Sequence, residues 1–205
     1  MAYTKQVAQA VDNYTARTIP VHVSIRARQV VLSEPEMEAL LAQSELIAVG
    51  ACDCRKEKSN CDGPLDVCLS LNESARRMVA EGKSHPVSTG EALDVLRRSH
   101  EAGLVHLAYR QADEDIGVVC SCCACCCWFL NALKPFDYHD AVAESAYVAV
   151  FEPGRCTGCG ICVERCQFGA WQSEDGEVRF APARCFGCGL CASTCPASAI
   201  TLVLR

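Results

Sequence analysis

The chain has 205 residues and carries 25 acidic against 19 basic side chains, so its formal net charge is −6. Nucleic-acid binding needs Lys and Arg clustered on one face, and this acidic balance argues against it. The length suits one large domain or two small ones. Eighteen of the residues are cysteine, a density well above that of an ordinary globular protein.

The cellular compartment is predicted from the N-terminus and from the use of cysteine. Residues 1–20 lack the charged-then-apolar pattern of a secretion signal. The most apolar stretch, 118–133, owes its hydropathy to six cysteines and is shorter than the ~20 apolar residues of a membrane-spanning helix. We therefore predict a cytoplasmic protein without a membrane span, in which cysteine serves metal or redox chemistry rather than disulfides.

Two helix starts are marked by a serine followed three residues later by a glutamate. Ser33 with Glu36 begins the first of these helices, and Ser88 with Glu91 begins the second. In this pattern the serine side chain and the glutamate side chain each bond the other's backbone amide, which satisfies two donors that a helix leaves unpaired. The sequence therefore predicts helices that follow both serines.

The other elements of the first two thirds are predicted from periodicity. A further helix is predicted over 69–80, and the helix after Ser88 is predicted to end near Gly103, where a left-handed residue is favoured. A strand is predicted over 104–109. These elements predict an α+β chain whose N-terminal domain, residues 1–140, is mostly helical and rich in cysteine.

Ten cysteines fall in this N-terminal domain, and six of them crowd into the eight residues 120–127. Six thiols so close together cannot all face one apolar core, and bunched thiols are typical of metal sites. A subset of nine is predicted to bind metal: Cys52, Cys54, Cys61, Cys68, Cys120, Cys122, Cys123, Cys125 and Cys126.

The metal at this N-terminal site is open from spacing alone. At least one additional Fe-S cluster is the preferred interpretation, with zinc and a patch of redox-active or storage thiols as alternatives. One candidate ligand set combines Cys54, Cys61 and Cys68 with one thiol from residues 120–126, because separate segments that close on one metal would stabilise a small domain.

The C-terminal third contains two copies of one unit, at 154–171 and 183–200, offset by 29 residues. Apolar, β-rich runs precede the first copy and follow the second, and a short run at 177–180 lies between the copies. Each copy is therefore predicted to form a strand, a ligand loop, a short helix and a strand.

Each copy carries the spacing C-x2-C-x2-C-x3-C, which binds 4Fe-4S clusters, the fourth cysteine of each copy ligating the other cluster. Zinc ribbons need only two C-x2-C pairs per ion and explain this spacing less well. The predicted ligands are Cys156, Cys159, Cys162 and Cys195 for cluster I, and Cys185, Cys188, Cys191 and Cys166 for cluster II.

These motifs closely resemble the bacterial two-cluster ferredoxin family over residues 146–205. The resemblance implies two βαβ-like halves related by a pseudo-twofold axis, with electron transfer as the activity. One departure is Gln167, which follows Cys166 where the family usually has proline. The whole chain also resembles a group of ferredoxin-domain proteins of anaerobic microbes, through ACDCRKEKSNCDGPLDVCLSLN, STGEALDVLRRSHEAGLVH and CSCCACCCWFL ahead of the two cluster motifs.

The predicted function is electron transport by two C-terminal 4Fe-4S clusters and at least one N-terminal centre. An alternative is the electron-feeding subunit of an oxidoreductase whose N-terminal cluster has an open coordination site, and another is a redox or metal sensor. No catalytic residue is predicted from local signatures. Two clusters of about −2 each would bring the protein to about −10, so the partners are expected to be redox proteins with a basic docking patch.

Overall fold

The computed structural model describes residues 14–19, 34–111, 116–133 and 142–205. The elements of the first part are β1 (Tyr14–Ile19), α1 (Glu34–Ala42), β2 (Ile47–Ala51), α2 (Asp53–Lys58), β3 (Asp66–Leu71), α3 (Asn72–Ala80), β4 (Ser84–Val87), α4 (Thr89–Glu101), β5 (Val105–Gln111), β6 (Ile116–Cys122) and α5 (Trp128–Leu133). Within these ranges every helix is too short or too polar to cross a membrane.

The first part of the chain is built on a six-stranded sheet in the order β1-β5-β6-β3-β2-β4. All neighbouring strands in it are antiparallel. The α+β class therefore holds for the chain, but the prediction of a mostly helical N-terminal domain is wrong.

Of the six strands only β5 is predicted, and two of the missed strands, β2 and β3, have side chains that do not alternate between apolar and polar. In β2, Ile47, Ala48 and Val49 are all buried. The last three residues of β3 are also all buried: Leu69, Ser70 and Leu71. A strand covered on both faces has no period of two, so it cannot be distinguished from a buried helix by pattern. The predicted helix over 69–80 accordingly begins only at Asn72.

Helix α4 begins as the sequence predicts. The Ser88 hydroxyl accepts from the Glu91 amide, and the Glu91 carboxylate accepts from the Ser88 amide. The helix ends at Glu101, and Gly103 follows with a φ of 81°. Ser33 lies outside the described residues, and α1 begins at Glu34.

A first core lies between the sheet and the helices α1 and α4. It contains Met37 and Leu41 from α1, Val95 and Leu96 from α4, and Leu69 from the sheet, all no more than 5 % exposed. These two helices therefore cover one face of β2 and β3 and leave the thiol-bearing ends of β3 and β6 on the other side of the sheet.

The second part of the chain contains β7 (Tyr147–Phe151), α6 (Ile161–Arg165), β8 (Trp171–Glu174), β9 (Glu177–Phe180), α7 (Leu190–Thr194) and β10 (Ile200–Leu204). Strand β7 pairs with β10, and β8 pairs with β9, both antiparallel. Each half thus runs strand, loop, short helix, strand, as the repeat predicts.

A second core joins the two parts. Leu107 and Tyr109 of β5 and Leu130 of α5 pack in it with Phe186 and Leu190 of the second repeat. The boundary predicted between residues 140 and 146 falls partly on residues 134–141, which lie outside the described ranges.

Candidate metal centres

The first repeat encloses one cavity of about 320 Å³. Its lining includes the thiols of Cys156, Cys159, Cys162 and Cys195. The loop after β7 positions Cys156 and Cys159, the first turn of α6 positions Cys162, and the end of α7 brings Cys195 across from the second repeat. Cys159 is exposed, so this cavity lies at the surface of the molecule.

The second repeat encloses a cavity of about 310 Å³ whose lining includes Cys166, Cys185, Cys188 and Cys191. Its three cysteines from the second motif are all buried. Burial raises the pKa of Cys188 to about 12 and also raises the pKa of Cys185. Such thiols keep their protons unless a metal cation replaces them, so metal binding at this cavity releases protons.

Backbone amides approach the sulfurs at both cavities. The Gly158 amide lies 3.4 Å from Cys156 Sγ, and the Ala170 and Ala199 amides lie 3.3 Å from the Sγ atoms of Cys166 and Cys195. Hydrogen bonds to cluster sulfurs stabilise the more negative reduced state and are one of the means by which a protein sets the potential.

A separate four-thiol group, consisting of Cys61, Cys123, Cys125 and Cys126, lies in the first part of the chain. All four Sγ atoms are within 4.8 Å of one another, and Cys61 Sγ is 3.6 Å from Cys123 Sγ and 3.8 Å from Cys126 Sγ. A tetrahedral ion with metal–sulfur bonds of about 2.3 Å holds its sulfurs about 3.8 Å apart. The spacing therefore fits a single ion bound by four thiolates.

The buried guanidinium of Arg55 lies beside this four-thiol group. It donates to Cys123 Sγ at 3.4 Å and to the Ser121 carbonyl at 3.2 Å, and it is 2 % exposed. Burial acts to lower the pKa of Arg55, but the hydrogen bond and charge of Cys123 outweigh it and raise that pKa. Arg55 is thus a permanent positive charge that offsets thiolate charge.

The thiol of Cys61 is readily ionised. Burial raises the pKa of Cys61, but hydrogen bonds from the Gly63 backbone and from the neighbouring thiols outweigh it and lower that pKa to about 7. A thiolate available near neutral pH is the form that binds metal.

The other N-terminal thiols are outside this four-thiol group, although Cys52 and Cys54 share its core. Cys68 Sγ is 3.3 Å from Cys120 Sγ, and Cys122 lies next to both Cys120 and Cys127. A hydrogen bond between Cys52 and Cys54 lowers the pKa of Cys52 to about 6 and raises that of Cys54. The structure therefore does not bring Cys54, Cys61 and Cys68 together at one site. Cys61 lies in the four-thiol group, whereas Cys54 lies beside Cys52 and Cys68 beside Cys120.

The two parts of the chain are joined by residues around Cys166. Gln167 Oε1 accepts from the Ala124 amide, and Gln167 Nε2 donates to the Gly103 carbonyl, both at 3.0 Å. Arg165 donates to the carbonyls of Glu101 and His100 at 2.7 and 3.0 Å. Because Ala124 lies between two thiols of the four-thiol group, Gln167 connects that group to the second cavity.

Sequence reasoning missed three residues of these sites. Cys127 is absent from the predicted ligands, and neither Tyr109 nor Arg55 belongs to a motif that marks it as part of a site. Gln167 was recognisable, because it departs from the ferredoxin pattern, but its role as a bridge depends on which segments fold against it.

Residues 155–200 match the family model of the 4Fe-4S dicluster domain. No curated protein sequence matches the chain. The match covers most of the second part of the chain and includes all eight cysteines that line the two cavities. The chain therefore carries a ferredoxin-like, iron–sulfur domain, which indicates a role in electron transfer.

Proposed function

We propose that this protein is an electron carrier with a 4Fe-4S cluster in each C-terminal cavity, which exchanges electrons with a metal centre held by its N-terminal cysteines. The observation that carries the proposal is that thiols of the two sets share one core. Cys122 and Cys127 belong to the same buried core as Cys188 of the second cavity.

The proposed clusters use crossed ligands. Cluster I is assigned to Cys156, Cys159, Cys162 and Cys195, and cluster II to Cys185, Cys188, Cys191 and Cys166, since these thiols line the first and second cavities respectively. Iron and sulfide supply the redox chemistry when bound, while the protein sets their potential through burial and amide hydrogen bonds.

The position of each cavity gives the proposed order of the sites along the electron path. The first cavity has the exposed Cys159 and faces outward, whereas the second has buried thiols and faces the N-terminal part. Electrons therefore enter or leave at cluster I and pass through cluster II to the N-terminal centre.

The four-thiol group is proposed as an N-terminal metal site. Its sulfur spacing of 3.6 and 3.8 Å fits a single tetrahedral ion, zinc or iron, whose sulfurs lie about 3.8 Å apart. Such an ion would join the loop after α2 to the loop after β6 and stabilise both.

The partner is proposed to be a redox protein with a basic docking patch. The β8–β9 turn lies against the first motif, since a Cβ added to Gly158 would be 2.9 Å from the Gly176 carbonyl oxygen. Around this turn Glu174, Asp175 and Glu177 are exposed, and Arg179 pairs with Glu174 and Glu177. Electron transfer to the partner should slow as salt increases, and a rate independent of ionic strength in stopped-flow measurements would contradict this docking.

The test of the function is metal and sulfide analysis of anaerobically purified protein, with EPR during stepwise reduction. The proposal expects about eight irons and eight sulfides from the two cavities, together with further metal. Fewer than about eight irons, or no signals of two interacting clusters, would overturn it. An N-terminal iron signal that changes on adding small ligands would instead favour the subunit of a redox enzyme.

A further inference from the structure

A row of four thiols lies on the face of the sheet that meets the C-terminal part. Cys68 and Cys120 are partly buried, and Cys122 and Cys127 are buried. Cys68 and Cys120 are cross-strand neighbours of β3 and β6, which explains their Sγ separation of 3.3 Å. Cys122 lies two residues farther along β6, on the same face of the sheet as Cys120. Cys127 comes from the loop and completes the row beside Cys122.

The thiols at the end of β6 and in the loop after it lie in two separate cores. The turn of this loop is closed by the Cys127 amide, which donates to the Cys123 carbonyl at 2.9 Å. Cys123 and Cys126 belong to the first core, whereas Cys122 and Cys127 belong to the second. The row is therefore distinct from the four-thiol group, although the loop after β6 contributes thiols to both.

A buried phenol is directed at the row. Tyr109 Oη lies 3.9 Å from Cys122 Sγ and 4.0 Å from Cys127 Sγ, and its side chain is buried in the second core. A neutral thiol is a weak acceptor, whereas a metal-bound thiolate is a strong one. A hydroxyl held between two sulfurs is the arrangement by which proteins orient and tune thiolate ligands.

The row also occupies the position that an electron path needs. It shares the loop after β6 with the four-thiol group, and its Cys122 and Cys127 pack in the same core as Cys188 and Phe186 of the second cavity. Zinc has no redox activity, so a metal that relays electrons from this position has to be iron or another redox-active ion.

We propose that Cys68, Cys120, Cys122 and Cys127 bind a second N-terminal centre, made of thiolate-bound iron, which exchanges one electron at a time with the cluster in the second cavity. This inference rests on the proposed function. In the step, the reduced cluster loses one electron and the oxidised iron centre gains it, with no bond made or broken.

The test uses the full chain, purified without oxygen, in four forms. The double variant Cys122→Ser, Cys127→Ser removes two ligands of the row. Tyr109→Phe keeps every ligand and removes the hydroxyl. Cys61→Ser perturbs the four-thiol group alone. The matched control is Ser121→Ala, because Ser121 is buried in the same strand but bonds His106 on the opposite face, at 3.1 Å.

The expected result is that the double variant loses iron while its C-terminal cluster signals and the metal of the four-thiol group persist. Cys61→Ser should lose the metal of the four-thiol group and keep the iron of the row. Tyr109→Phe should keep wild-type iron and lower the potential of one EPR signal, since its lost hydrogen bond stabilised the reduced state. Ser121→Ala should change neither the iron content nor the potential.

Unchanged iron in the double variant, or a loss of zinc in place of iron, would overturn the inference. If the double variant does not fold, an unshifted potential in Tyr109→Phe overturns it. These failures are separate from failure of the proposed function, which would already be visible in the wild-type protein as missing C-terminal cluster signals.

Discussion

Single residues decide how each sulfur behaves in this protein. The exposed Cys159 and the buried Cys188 occupy equivalent positions in the two repeats, yet one faces solvent and the other the sheet. Burial and nearby dipoles set the potential of a cluster. Two chemically identical clusters would therefore differ in potential because of their surroundings.

A glycine determines how closely the second motif approaches strand β7. Gly187 has a φ of 69°, and an added Cβ would overlap the Tyr147 carbonyl oxygen. The Ser145 hydroxyl also donates to the Gly187 carbonyl at 3.0 Å. The loop that carries Cys185 and Cys188 thus has no room for a side chain at this position.

The substitution Gly187→Ala should therefore damage the second cavity selectively. A non-glycine residue at this φ costs about 1–3 kcal/mol, and the overlap adds to this. We expect about four irons fewer than in the wild-type protein, by iron analysis. The control is Gly154→Ala, because no atom lies within 4 Å of its added Cβ. Full iron content in Gly187→Ala would contradict the close packing.

At the scale of elements, strand β6 and the loop after it organise the N-terminal thiols. The strand places Cys120 and Cys122 on one face of the sheet, and the turn that follows returns the chain so that Cys127 joins them. Because successive side chains of a strand point to opposite faces of the sheet, Cys120 and Cys122 share a face, which two residues so spaced in a helix would not.

Helix α4 also contributes to the interface between the two parts of the chain, since Arg165 donates hydrogen bonds to the carbonyls at the C-terminal end of this helix. Its N-terminus depends on the reciprocal bonds of Ser88 and Glu91. We expect Ser88→Ala to lower stability by about 1 kcal/mol, which for a chain of this size lowers the thermal midpoint by roughly 2–4 °C. Ser88→Asp keeps an acceptor at the cap and should restore most of the loss. Equal midpoints in the wild-type protein and Ser88→Ala would exclude a stabilising cap.

At the scale of the whole molecule, the two parts of the chain share a core and a set of hydrogen bonds. His100 Nε2 lies 2.6 Å from Ser193 Oγ, in addition to the bonds of Arg165 and Gln167. The stacked rings of Phe168 and Phe186, 4.4 Å apart, lie in the same interface. The two parts therefore meet in a packed interface that holds the second cavity beside the N-terminal thiols.

Removing the Gln167 side chain should weaken this interface without touching a ligand. Gln167→Ala loses two hydrogen bonds of about 1 kcal/mol each, so the thermal midpoint of the anaerobic protein should fall by roughly 4–8 °C. Iron content should stay at the wild-type value. Gln172→Ala is the matched control, because Gln172 is exposed on β8. A wild-type midpoint in Gln167→Ala would show that these bonds do not join the two parts.

The sequence by itself determined the local features of this protein. The cysteine spacing identified the two repeats, and the pattern of Ser88 and Glu91 placed the start of α4. These features depend on residues within one turn or one loop, so their physical cause is contained in a few consecutive residues. The same holds for the strands Tyr147–Phe151 and Ile200–Leu204, which flank the repeats.

Only the tertiary structure decided how the ten N-terminal thiols divide. Cys122 and Cys123 are neighbours in the chain but face different cores, and Cys61 meets Cys126 across 65 positions of sequence. The six-stranded sheet was missed for a related reason, since β2 and β3 are buried on both faces and carry no alternating pattern. Long-range strand pairing sets which thiols meet, and that information is spread over the whole fold.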